Sequence, residues 1–166
     1  DKSMALLEDC RRFGALAFAH AARAGFVAIS FLKSFVCLKI LTETDKQIFL
    51  KSIKTVAGEF NEEGKAVSNG TMSKEDFLMR YGHLRPGTYD VNVEAYWEAP
   101  DRYLFSLLES ASCEEKDGSQ FQFTSLARNA IESEFKKIDA ELTFDLVINY
   151  IKKAIQYRER VKFEFT

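Results

Sequence analysis

Side chains able to do chemistry crowd one stretch of the chain, Arg80-Tyr81-Gly82-His83-Leu84-Arg85-Pro86-Gly87-Thr88-Tyr89-Asp90. Two arginines, one histidine, two tyrosines and an aspartate fall within a segment stiffened by glycine and proline. Arg85 has the planar donor fork that grips a carboxylate or phosphate through paired hydrogen bonds. His83 can shuttle a proton or donate to an anion. Asp90 can orient either of them. The same residue types also gather where ion pairs pin a long loop to its helices, so the cluster reads either as an anion site or as a self-satisfied bracket.

A second pair, His20 and Arg23, lies one turn apart in an apolar run from Gly14 to Leu41. An arginine buried there needs a partner, which Asp90 or another helix would supply. Arg23 would then either join Arg85 in an anion pocket or form a structural ion pair. Other chemistries leave no trace. The chain has no P-loop, no GxGxxG and no GxSxG elbow, and no Cys/His pair stands out as a nucleophile and base. The carboxylate runs Glu62-Glu63 and Glu114-Glu115 read as solvated loop positions, and Lys136-Lys137 and Lys152-Lys153 as outer helix faces.

The elements that would position these groups are mostly helices. The run from Gly14 to Leu41 is long enough to suggest a membrane span, but His20, Arg23, Lys33 and Lys39 interrupt it and charges are costly at mid-bilayer. A central helix with a polar seam through His20, Arg23, Ser30 and Ser34 fits better. A second helix begins near Thr42 to Asp45, with Thr44 and Gln47 at capping-box spacing, and its apolar face runs from Ile48 to Phe60. NEEGKAVSNG then reads as a polar turn region. Ser73 caps a third helix, with Met72 and Phe77 at staple spacing and Gly82 as a left-handed terminator. A compact loop follows, with Pro86-Gly87 in a type II turn. Next come a short helix over Asp101 to Ser110, a solvated loop, and two further helices over Leu126–Leu142 and Thr143–Val161. Ala127, Ala130, Ile131, Phe135 and Ile138 share one face of the former. Val147, Tyr150, Ile151, Ala154, Ile155 and Tyr157 share one face of the latter. Tyr89 to Val93 alternates enough to pair as a minor strand. The fold class is therefore mainly α: an irregular multi-helix arrangement, with a long ordered loop and at most minor strands. The 166 residues fit one domain, 1–166.

Composition narrows the function. Apolar residues at 46% exclude a disordered chain, and a net charge of −2 removes the basic excess expected of a nucleic-acid binder. Cys10, Cys37 and Cys113 are odd in number, widely spaced and without a CxxC, so they read as reduced cytosolic thiols rather than a disulfide frame or a zinc site. The chain opens on Asp1 within an amphipathic pattern and closes on Thr166 without a terminating signal. That suggests a piece of a longer polypeptide in the cytoplasm.

FLMRYGHLRPGTYDVNVEAYWEAPDRYLF, read with FGALAFAHAARAGFVAISFLKSFV and FLKSIKTVAGEF upstream of it, resembles the middle helical region of phosphoenolpyruvate-synthase-like phosphotransferases, related to pyruvate phosphate dikinases. The resemblance covers roughly Phe13 to Phe105, and its most specific part is YGHLRPGTYD. The related rifampicin phosphotransferases carry a YGHRGPGE-type motif in their acceptor-binding domain. The resemblance implies a multidomain parent with an ATP-grasp-like domain, this helical segment and a mobile phosphohistidine domain. ATP and magnesium would act in the parent, with no cofactor or metal in this segment. Arg23, His83, Arg85, Gly87, Tyr89 and Asp90 become the candidate substrate-binding residues, with no catalytic residue among them. Partners would be the neighbouring ATP-grasp and phosphohistidine domains and a small-molecule acceptor, with no nucleic acid and no membrane. Neither an ATP-grasp half nor a Thr-Ser-His-Gly carrier motif is present, so the segment would not be catalytic alone. A non-catalytic helical scaffold or interaction module is the alternative. Tyr96-Trp97-Glu98 stands where the family more often has Arg-Tyr-Asp.

Overall fold

The computed structural model describes residues 2–86, 90, 92–103 and 121–165, and these are mainly helical with no strand among them. Successive helices are α1 (Lys2–Asp9), which runs through a π-helical stretch (Cys10–Ala15) into α2 (Leu16–Cys37), then α3 (Glu43–Ser52), α4 (Val56–Ser68), α5 (Lys74–Tyr81), α6 (Ser125–Lys136) and α7 (Phe144–Phe165). Residues 100–103 are also helical. The chain divides into two compact units, residues 1–54 with 118–161, and residues 55–117 with 162–164.

In the first unit α2 is the central element. Ala21, Gly25, Ala28, Leu32 and Phe35 are its buried positions, spaced by threes and fours on one face. Leu32 and Phe35 join Ile131 and Phe135 of α6 and Val147, Ile151 and Ile155 of α7 in a single core. Phe31 meets Phe135 edge-on at 5.1 Å between ring centroids, a favourable arrangement of the aromatic quadrupoles. Gly25 lets α7 approach, since a Cβ there would stand 2.6 Å from Arg158 Cδ. The helical stretch Lys2–Cys37 is long and apolar enough by composition to cross a membrane. The polar seam of α2 faces outward: His20, Arg23, Ser30 and Ser34 are all exposed.

Caps set the helix starts. Thr42, not Thr44, caps α3: its hydroxyl accepts from Asp45 N at 3.0 Å, and the Asp45 carboxylate accepts from Thr42 N at 2.9 Å. Gln47 donates instead to Glu43. Two hydrogen bonds from Thr42 hold the Asp45 carboxyl below its usual range. The helix read as continuous from Thr42 to Phe60 breaks after Ser52, and Thr55 opens α4 by accepting from Gly58 N. α4 continues to Ser68 through the stretch read as a polar turn. α6 stops at Lys136, which leaves Ile138 outside the helix and exposed.

The second unit is built on α4 and α5. Ser73 caps α5 as expected, accepting from Asp76 N at 3.0 Å, and Met72 packs against the cluster of Val67, Phe77 and Tyr81. Phe77 and Tyr81 are buried against Phe60 and Phe163.

Candidate functional site

The segment after α5 is held in place by backbone and side-chain bonds from within. Gly82 ends α5 in right-handed geometry (φ −62, ψ −24) rather than as a left-handed terminator. Its glycine is required by close approach: a Cβ would lie 2.3 Å from Leu78 O and 3.0 Å from Trp97 Cβ. Through that narrow gap Trp97 N donates to Gly82 O at 3.0 Å, and Tyr96 N donates to Leu84 O at 3.0 Å. The returning chain is thereby laid along residues 82–84.

Arg85 closes the bracket. Its guanidinium donates to the Val93 carbonyl and lies 3.5 Å from Glu98 Oε2. Glu98 in turn accepts from Ala95 N at 2.6 Å. One carboxylate thus satisfies a turn amide and balances the arginine. Glu98 carries this role although its position in the sequence suggested only a departure from the family pattern. A carboxylate three residues after an amide it could cap was the available signal.

His83 is half-buried. Its ring meets Phe163 edge-on at 5.0 Å and Trp97 at 6.3 Å. No hydrogen bond joins it to a described residue. Asp90 is exposed and accepts from the backbone and side chain of Asn92, a local turn that makes no side-chain bond to the other described site residues. Gly87 and Tyr89 lie outside the described residues, as do the type II turn read at Pro86-Gly87, which needs Gly87, and Cys113, Glu114 and Glu115. Arg23 belongs to the first unit and is exposed. It makes no ion pair or hydrogen bond with a described residue, so the buried, partnered arginine expected from the apolar run is corrected: it sits on the outward face of α2.

Between α4 and α5 lies a polar group that sequence reading passed over. Glu63, assigned to a solvated loop, is on α4 and pairs with Arg80 of α5, while Glu59 stands 4.0 Å from the same guanidinium. The second oxygen of Glu63 and the Tyr81 hydroxyl are both buried without a hydrogen-bond partner among the described residues. Burial, reinforced by the Glu63 charge, pushes the Tyr81 phenol up to about 12. The phenol therefore stays neutral, and it is tuned away from proton transfer near neutral pH.

Comparison with protein-family models, with curated proteins and with solved structures finds no match.

Proposed function

We propose that this chain is a cytoplasmic helical linking segment of a multidomain ATP-dependent phosphotransferase of the phosphoenolpyruvate-synthase-like type, not catalytic alone. The family reading rests on the YGHLRPGTYD motif. Linking is favoured over substrate docking by one observation: Arg85, the motif's best anion ligand, is already committed to Val93 O and Glu98. An arginine whose donors hold its own loop stiffens a connection and has less to offer an incoming phosphate. On this reading ATP and magnesium act in the neighbouring ATP-grasp domain, and the phosphohistidine domain moves against a rigid middle segment.

Docking of a small-molecule acceptor is the second reading. It is supported by His83, whose half-buried imidazole has no hydrogen-bond partner among the described residues. Steady-state phosphoryl transfer by the parent enzyme separates the two. Linking expects His83→Ala to leave turnover unchanged and Arg85→Ala to lower thermal stability together with activity. A large fall in kcat/KM for the acceptor in His83→Ala, at unchanged melting temperature, would favour docking. The coding region on either side tests the family reading: an ATP-grasp half and a Thr-Ser-His-Gly motif are expected, and their absence would leave a stand-alone module.

A further inference from the structure

Ahead of the core of the first unit, the chain carries apolar side chains that the fold leaves uncovered. Met4, Leu6, Leu7, Phe13 and Leu16 are each 58–67% exposed, and neither α1 nor the π-helical stretch holds a buried residue. Leu6, Cys10 and Phe13, with Leu7 beside them, are three or four residues apart and share one side of the helix. Glu8, Asp9 and Arg12 fall on the other side by the same spacing. Arg11 borders both sides and is held to the charged one by Glu8, which it meets at 2.6 Å. Two acids thus balance two arginines within one turn. The helical stretch Lys2–Cys37 has the length and composition of a membrane-crossing helix, yet 22% of its apolar 18-residue window is buried. A helix that is apolar on all sides is either enclosed in a core or set against lipid, and this one is not enclosed.

We propose that the stretch from Met4 to Leu16 lies in the headgroup boundary of a lipid bilayer, apolar side down. This replaces the expectation of no membrane partner. Two observations select lipid over protein. The uncovered apolar side chains go beyond one stripe, since Phe26 and Val27 of α2 are exposed away from its buried face, and a single partner helix covers only a stripe. The charges are balanced within the turn, so burial of apolar area supplies the attraction, and a lipid interface accepts it without a matching register. Arg12 holds its guanidinium 5.5 Å from the Phe13 ring centroid, an arginine laid along an apolar neighbour with its charge left to the water side. The charges also fix the pose. A span through either part of the helix would carry some of them to mid-bilayer, Glu8 to Arg12 in one case and Arg23 in the other. It would also strip the buried face of α2 from α6 and α7. Lying along the surface avoids both costs.

The test is flotation of the chain with vesicles of phosphatidylcholine alone. The chain is expected to float with them, to stay bound as salt is raised, and to be released by alkaline carbonate. Leu6→Glu combined with Phe13→Glu should lower the bound fraction by about tenfold or more at unchanged helix content by circular dichroism, because two large side chains lose their burial in lipid. Leu126→Glu, at an 84% exposed position on α6, should float like the parent. Absence from the floated fraction, or binding unmoved by the double variant or lost equally in Leu126→Glu, would overturn the proposal. Binding only to phosphatidylserine vesicles that salt reverses would put charge in place of apolar burial and overturn it, and retention after carbonate would do so by showing a span. A concentration-dependent dimer in sedimentation, abolished by the double variant and formed by a chain that does not float, would assign the face to a second copy instead.

Discussion

Arg85 reaches across eight residues to the carbonyl of Val93, and that bond joins the backbone bonds of Tyr96 and Trp97 in tying the returning chain to the end of α5. A charged donor on a half-buried carbonyl contributes about 1.5–3 kcal/mol, so Arg85→Ala should destabilise the chain by that order. Trp97 is the only tryptophan and sits in the bracket. Its fluorescence in a urea titration should report the lower midpoint, and amide exchange at Tyr96 and Trp97 should quicken. An unchanged midpoint would mean the bracket is held by backbone bonds alone.

Gly82 has no room for a side chain. Gly82→Ala places a methyl against Leu78 O and Trp97 Cβ, so either the end of α5 or the turn that holds Trp97 must move. Overpacking of this kind costs about 1–3 kcal/mol. The expected outcome is a lower melting temperature with unchanged helix content by circular dichroism. A variant as stable as the parent would show that the approach relaxes at no cost.

Tyr81 couples the second unit to alkaline pH. Its phenol ionises near 10 in an unfolded chain and at about 12 when folded, because burial and Glu63 disfavour the anion. The unfolded state loses its proton first, so stability is full below pH 10 and declines as pH rises toward 12. Tyr81→Phe removes this group and a buried hydroxyl that lacks a partner. Its melting temperature should equal or exceed the parent's at pH 7 and fall less steeply between pH 10 and 12. A steeper fall in the variant would contradict the burial of the phenol.

Thr42 and Thr44 offer a contrast within one turn. Thr42 supplies the cap of α3, whereas Thr44 is an exposed position inside the helix. Thr42→Ala should cost about 1 kcal/mol, and Thr44→Ala should stay within about 0.5 kcal/mol of the parent in chemical denaturation. Equal effects would restore the later capping position.

These residues also show what could be read from the chain. Ser73 and its helix were legible because a cap acts over three residues. Thr42 was missed because two threonines lie in capping range and only the backbone chooses. The break at Ile53–Thr55 carries neither glycine nor proline, so periodicity ran straight across it. The mainly helical fold class followed from spacing, whereas the outward turn of Arg23 depends on which face of α2 meets α6 and α7. Glycine's role at Gly82 depends on Trp97, fifteen positions away, and the Arg85–Val93 bond on the path of the loop. Tyr150 and Tyr157 matched the apolar period, but the core is narrower than the apolar stripe and leaves both at the surface.

Glu132 joins α6 to the start of α7. One carboxylate oxygen accepts from Lys136 and the other from Phe144 N at 3.1 Å, which satisfies an otherwise unpaired amide at the first residue of α7. The Lys136 bond, followed by the Phe144 amide, holds its carboxyl below the usual 4.5. A carboxylate favoured by the fold stabilises it above the unfolded pKa, and that stabilisation is lost as pH falls through the lower folded value. Glu132→Gln keeps the shape and removes the charge. Its melting temperature should lie below the parent's at pH 7, and the gap should close as pH drops below about 4.5. The local readout is amide exchange at Phe144, which should accelerate in the variant at neutral pH and match the parent in acid. A gap that persists unchanged at low pH would assign the stabilisation to side-chain packing instead of the charge-assisted bonds.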